Sequence, residues 1–80
     1  MRRISKLYDK ALEDAQAAQR AFVLRLREVS ATIRPWEPFA VREAAQRADP
    51  EAQRLAREVA IAWDTLELRR QQLLKAKAVA

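Results

Sequence analysis

The chain has 80 residues, a formal net charge of +5, and no glycine, cysteine or histidine. A chain of this length allows one small domain, which keeps a poor ratio of core to surface and usually needs additional support. Disulfides and the commonest transition-metal ligands are excluded, because cysteine and histidine are absent, so oligomerisation or a partner protein remains as that support. The composition therefore favours a single domain that self-associates or binds another protein.

The missing residue types also argue against catalysis. Histidine is the commonest general base and cysteine the strongest nucleophile, and phosphate-binding loops of the Walker or Rossmann type require glycine. Asp9 and Glu13 share a helix face, but Lys6 and Lys10 interleave with them in the spacing of a solvated surface. We therefore expect no enzymatic activity, no catalytic residues, no cofactor, no metal site and no small-molecule substrate.

No segment of the sequence predicts a membrane span or a signal peptide. Residues 1–3 resemble the charged start of a signal peptide, but charged residues interrupt positions 6–14, where its apolar core would follow. The longest apolar run covers residues 59–63, far short of the roughly 20 residues that span a bilayer. We therefore expect a cytoplasmic protein that does not contact membranes.

The first predicted helix covers residues 4–33. Strong helix formers dominate this segment, and apolar residues recur every three or four positions over about eight turns. This stripe consists of Ile4, Leu7, Ala11, Ala15, Ala18, Phe22, Leu26, Val29 and Ile33. Since the middle of the stripe is all alanine, we expect a second helix to pack closely there.

A proline-containing corner is predicted at residues 34–37. All three prolines lie between positions 35 and 50, and a residue before proline avoids helical backbone angles. Trp36 and Phe39 lie at this corner, where they either fold over the end of a bundle or anchor a partner. Pro38 is predicted to open a short helix over residues 38–48. The apolar positions of that helix are Ala40, Val41, Ala44, Ala45 and Ala48.

The last predicted helix covers residues 50–77. Asp49 suits the N-cap, Pro50 the first helical position, and Glu51 the positive end of the helix dipole. Trp63 borders its apolar seam. The seam consists of Leu55, Val59, Ala62, Leu66, Leu73 and Ala76. Between Leu66 and Leu73, where another apolar residue would be expected, the sequence has Arg69 or Arg70. Each long helix would be about 42 Å long at 1.5 Å per residue, so the two match as an antiparallel pair.

These elements predict an all-α fold, a long antiparallel helical hairpin with a short corner helix. Its apolar surface is wider than one partner helix can cover, because several large residues lie outside the stripes: Leu12, Leu24, Ile61, Leu68 and Leu74. Two hairpins that pair into a four-helix bundle would cover them. We predict a homodimer, or a complex with another protein. Its expected interface residues are Phe22, Leu26, Trp36, Phe39, Val59, Trp63 and Leu66.

A basic pole supports a second hypothesis, an accessory protein that binds DNA or RNA. In an antiparallel hairpin, eight cationic residues from the two termini would lie at the same end of the molecule. They are Arg2, Arg3, Lys6, Lys10, Arg69, Arg70, Lys75 and Lys77. Such a pole can hold phosphates, although solubility and complementation of the helix dipoles explain the same pattern. Tyr8 is the one aromatic residue near it that could stack on a base. A helix-turn-helix at residues 41–61 and a helical-bundle enzyme that uses arginine and glutamate are the remaining alternatives.

Overall fold

The computed structural model of the chain describes residues 2–79, with side chains described within residues 3–78. Over this range the chain forms three α-helices and no strand, so the predicted all-α class is confirmed. The helices are α1 (Arg2–Ala31), α2 (Phe39–Ala48) and α3 (Pro50–Val79). None of the three combines the length and the apolar composition that a membrane crossing requires. The molecule measures 58 × 18 × 16 Å, a rod about two helices wide.

The contact between α1 and α3 is built from alanine and leucine. Ala11 and Ala15 are buried against Leu66, and Ala15 has no exposed surface. Because alanine has the shortest apolar side chain, the backbones of the two helices approach closely here. Every residue of the predicted α1 stripe is buried or partly buried. The periodic apolar stripe is therefore the side of α1 that packs on the rest of the chain.

The end of α1 lies two residues before the predicted end at residue 33. The backbone N–H groups of residues 32 and 33 donate to carbonyls three residues earlier, each at 3.1 Å. This tighter pattern replaces α-helical bonding in the last turn. A turn follows, in which the N–H of Glu37 donates to the carbonyl of Arg34 at 3.0 Å. The chain thus leaves the helix before Pro35.

The start of α2 differs from the prediction by one residue. Pro38 is the N-cap, with φ −57° and ψ 148°, and Phe39 is the first helical residue. The ψ of Pro38 is extended, so Pro38 is not the first helical position as predicted. Its carbonyl still accepts the N–H of Val41 at 3.0 Å, a bond that closes the first turn of the helix.

The apolar positions named above for the short helix mostly face solvent in α2. Four of the five are exposed: Ala40, Val41, Ala44 and Ala48. The inward side is polar instead. Gln46 Nε2 donates to the carbonyl of Leu26 at 3.1 Å and to Ser30 Oγ at 2.7 Å. Hydrogen bonds to α1, which apolar periodicity does not predict, thus set the orientation of α2.

Asp49 joins α2 to α3 and caps α3 as predicted. Its backbone is extended, with φ −70° and ψ 118°, as expected of a residue before a proline. Its Oδ2 accepts the N–H of Ala52 at 2.8 Å, and its carbonyl accepts the N–H of Gln53 at 3.0 Å. The helix continues to Val79, beyond the predicted end at residue 77, because no helix-breaking residue lies between them.

Candidate interaction surfaces

Trp36 and Phe39 form an exposed aromatic corner. Their exposed fractions are 72% and 73%. The guanidinium carbon of Arg34 lies 5.6 Å from the ring centroid of Trp36, which is within cation–π range. Within the single chain, neither ring is buried against the helices. Both rings remain available as anchors.

The other predicted interface residues occupy different environments. Leu66 is 8% exposed and packs on Ala11 and Ala15, so it belongs to the internal core. Phe22, Leu26 and Val59 are partly buried. Trp63, with 43% of its surface exposed, is the most accessible predicted interface residue on the long helices.

A cavity of about 270 Å³ lies between α2 and the two long helices. Phe22 and Leu26 line it from α1, Gln46 from α2, and Ala52 and Ala56 from α3. Phe22 and Leu26 therefore lie partly beneath α2. Since residue 63 follows residue 56 by two helical turns, Trp63 lies on the same face of α3 as this cavity. We call this side of the molecule the Trp63 face.

Arg25 and Asp49 form a part-buried ion pair that sequence analysis did not predict. Arg25 Nε and Nη2 donate to Asp49 Oδ2 and Oδ1, both at 2.8 Å. Together with the bond from the Ala52 amide, this pairing lowers the pKa of the Asp49 carboxyl to about 2. It also raises the pKa of the Arg25 guanidinium, which bonds Glu28 as well, at 3.1 Å. The 24-residue separation left no local signal for the pair.

Further ion pairs neutralise the part of the chain around α2. Arg54 bonds both Glu51 and Glu58, the latter at 2.6 Å, and Arg47 bonds Glu43 at 2.5 Å. The bond from Arg54 lowers the pKa of the Glu51 carboxyl. The cations of these pairs are therefore compensated locally, mostly on exposed surface, where each pair contributes little stability.

The basic pole is less compensated. Within its described side chains one ion pair occurs, between Arg70 and Glu67 at 3.1 Å. Arg69 Nη1 donates to Gln72 at 3.0 Å, a neutral partner. The remaining cations of the pole with described side chains are exposed at Arg3, Lys6, Lys10, Lys75 and Lys77. The side chain of Arg2 lies outside the described residues.

Three residues of the basic pole meet around one cavity. Arg3, Arg69 and Lys75 line a space of about 760 Å³ between the start of α1 and the end of α3. Ile4 and Leu7, with Ala76 opposite, give this cavity an apolar floor. The spacing of cations predicted a pole, but the apolar floor beneath it was not predicted. The arrangement suits an anionic group attached to an apolar body.

No family model, curated protein or solved structure matches this chain. Among residues 2–79, no group of three or more acidic side chains is placed to hold a metal ion.

Proposed function

We propose that this protein is a small non-enzymatic interaction module, which binds another protein or a second copy of itself through exposed apolar helix surface. An adaptor, an assembly factor, a chaperone-like subunit and an inhibitor all act in this way. One observation carries the proposal, the exposure of many large apolar side chains on so small a chain. They are Leu24, Trp36, Phe39, Val41, Ile61, Trp63, Leu68 and Leu74.

The composition of the core supports the same proposal. Among the described side chains, half of the buried apolar residues are alanine. The buried set is Ala11, Ala15, Val29, Ala52, Leu55 and Leu66. Alanine contributes little apolar area, at about 25 cal/mol per Å² buried. Large exposed apolar groups beside a small core mark an interaction site in soluble proteins. Burial of these groups against a partner supplies the apolar contacts that one chain lacks.

In the form that we favour, each chain is an antiparallel helical hairpin and two chains pair into a four-helix bundle. The Trp63 face is the proposed contact. Leu74 follows Trp63 by three helical turns and lies on the same side of α3. Large side chains at such spacing form the seam of a helix bundle. The aromatic corner, Trp36 and Phe39, lies outside this seam and gives specificity for a further partner.

The mass of the chain in solution tests this proposal. Light scattering coupled to size exclusion, with a helicity spectrum of the same sample, is expected to show a helical species of twice the 9.2 kDa chain mass. A poorly helical or aggregating monomer would contradict the homodimer. It would indicate that the apolar surface binds another protein, which is the other form of the proposal. A stable, fully helical and non-aggregating monomer would contradict the homodimer, and would contradict the whole proposal if it also bound no partner protein.

A second candidate function is binding of DNA or RNA by the basic pole. The observation that favours it is the convergence of Arg3, Arg69 and Lys75 around one cavity. Binding to phosphates releases counterions, so affinity for non-specific DNA should fall steeply between about 50 and about 200 mM salt. Replacing Arg69, Arg70, Lys75 and Lys77 by glutamine should abolish that binding and leave helicity unchanged. Salt-independent or absent binding would remove this candidate.

A further inference from the structure

We propose that the groove between α1 and α3 binds an amphipathic helix of a partner protein, with acidic residues of that helix over Arg3, Arg69 and Lys75. The inference rests on the proposed function as a protein-interaction module, and it names the chemistry of the partner. It concerns the side of the long helices that carries Arg69 and Thr65. The Trp63 face, where we place the contact between two copies, is a different surface.

Three cavities join to form this groove. The cavity of about 760 Å³ at the basic pole shares Leu7 and Arg69 with a neighbour of about 110 Å³. That neighbour shares Ala11, Asp14 and Thr65 with a third cavity of about 270 Å³. The lining thus runs along α3 from residue 76 to residue 58. This distance is about 27 Å, the length of a helix of about 18 residues.

The floor of the groove is apolar over its whole length. Ile4 and Leu7 lie at its basic end, and Ala11 and Ala62 lie further along it. Ile61 lines the far end with 65% of its surface exposed. A groove between two packed helices with such a floor accepts the apolar face of a third helix, whose anchors recur every three or four residues.

The charges along the groove select the partner. Arg3, Arg69 and Lys75 lie at one end. Lys10 and Asp14 line the middle, and Glu58 lines the far end. Glu58 is already bonded to Arg54 at 2.6 Å, so the far end is close to neutral. A helix that is acidic at one end and neutral or basic at the other therefore complements the groove, and such complementarity governs specificity and register.

Two other occupants fit this pattern less well. Nucleic acid is negative along its whole length and would meet Asp14 and Glu58, on a floor that has no aromatic side chain for base stacking. A second copy of this chain has no helix end that is purely acidic. Lys10 lies beside Asp9 and Glu13 in α1, and the acidic start of α3 is bonded to Arg54.

The probe is a fluorescent helical peptide of about 18 residues, added to the full-length chain. Leucine occupies every third or fourth position, glutamate the exposed positions of its first half, and glutamine those of its second half. The control peptide carries lysine in place of each glutamate. Fluorescence anisotropy should show binding of the acidic peptide at least about tenfold tighter than binding of the control. Equal binding of both peptides would overturn the proposal.

Two matched variants locate the binding. Arg69→Glu with Lys75→Glu reverses two charges of the groove, whereas Arg70→Glu with Lys77→Glu reverses two neighbouring charges that do not line it. Both variants change the net charge equally. The first should weaken acidic-peptide binding at least about tenfold, and the second less than about twofold. A third variant, Ile61→Ser at the exposed far end, should weaken binding without changing helicity. Equal losses in the two charge variants, or unchanged binding in the groove variant, would overturn the proposal.

A duplex DNA of about 20 base pairs is titrated into the same samples. If DNA binds with a steep salt dependence and the acidic peptide does not bind, the groove belongs to a nucleic acid and the proposal is wrong. Light scattering of these samples separates this inference from the proposed function. A dimer that does not bind the peptide contradicts only the groove assignment. A stable helical monomer that does not bind the peptide contradicts both the groove assignment and the homodimer.

Discussion

Arg25 of α1 and Asp49, the N-cap residue of α3, form an ion pair through two hydrogen bonds of 2.8 Å each. The same carboxylate accepts the N–H of Ala52 at 2.8 Å. One aspartate therefore both starts α3 and attaches it to α1. The stability of the corner that includes α2 should depend on this residue more than on any other carboxylate among the described ion pairs.

Asp49 makes stability depend on pH in the acid range. Its pKa falls from an ordinary 3.8 to about 2 in the folded chain, so protons bind the unfolded chain first as the pH drops. The contribution of Asp49 is thus complete above about pH 4 and is lost between about pH 4 and pH 2. Thermal melts at several pH values, compared between the wild type and Asp49→Asn, measure it. The difference in melting temperature should shrink as pH falls, and a constant difference would contradict the prediction.

Arg25→Ala should lower the melting temperature by about 5 °C or more, because it leaves the part-buried Asp49 carboxylate without its cation. Arg54→Ala is the control, since Arg54 is exposed and bonds only neighbours on its own helix. That variant should shift the melting temperature by less than about 3 °C. Equal shifts would mean that the pair between Arg25 and Asp49 has no special role.

Ala15→Leu should destabilise the fold by about 1–3 kcal/mol, because the larger side chain would overpack the closest contact between the long helices. Ala15 has no exposed surface and lies against Leu66. Ala17→Leu places the same side chain at an exposed position of the same helix, and should change stability by less than about 0.5 kcal/mol. Urea unfolding at one protein concentration measures both. A neutral Ala15→Leu would refute close packing at this point.

Gln46→Ala should loosen α2 without unfolding the long helices. Gln46 makes two hydrogen bonds to α1, and α2 has no buried residue to hold it otherwise. Hydrogen exchange should show about a tenfold or greater loss of protection in α2 and little change in α1 and α3. Gln71→Ala, which removes only a bond within α3, should leave α2 protected. Unchanged protection in α2 after Gln46→Ala would show that other contacts hold it.

Trp63→Glu should convert the proposed dimer into a monomer, because it places a charge at the centre of an apolar contact. Leu24→Glu is the control. Leu24 is more exposed than Trp63, at 56% against 43%, and lies outside the proposed seam. Light scattering at physiological salt should find a monomer for the first variant and a dimer for the second. Dissociation by Leu24→Glu alone would move the interface to the other side of α1.

Features that depend on neighbouring residues could be predicted from the sequence. The α1 stripe was predicted residue by residue, because helical periodicity alone brings those side chains to one face. The cap at Asp49 was predicted for a similar reason, since the carboxylate reaches an N–H only three residues away. The predicted helix ends differ by one or two residues from those observed, because they depend on bonding in the final turn.

Features that depend on distant residues required the folded chain. The orientation of α2 is set by Gln46, whose acceptors on α1 are 16 and 20 residues away. The partner of Asp49 is 24 residues away. The apolar floor under Arg3 and Arg69 is formed jointly by residues from the start of α1 and the end of α3. Helical periodicity identifies which side chains share a face, but it carries no information on which polar groups meet across helices. Those pairings follow from the path of the corner, where a few backbone angles determine how distant segments come together.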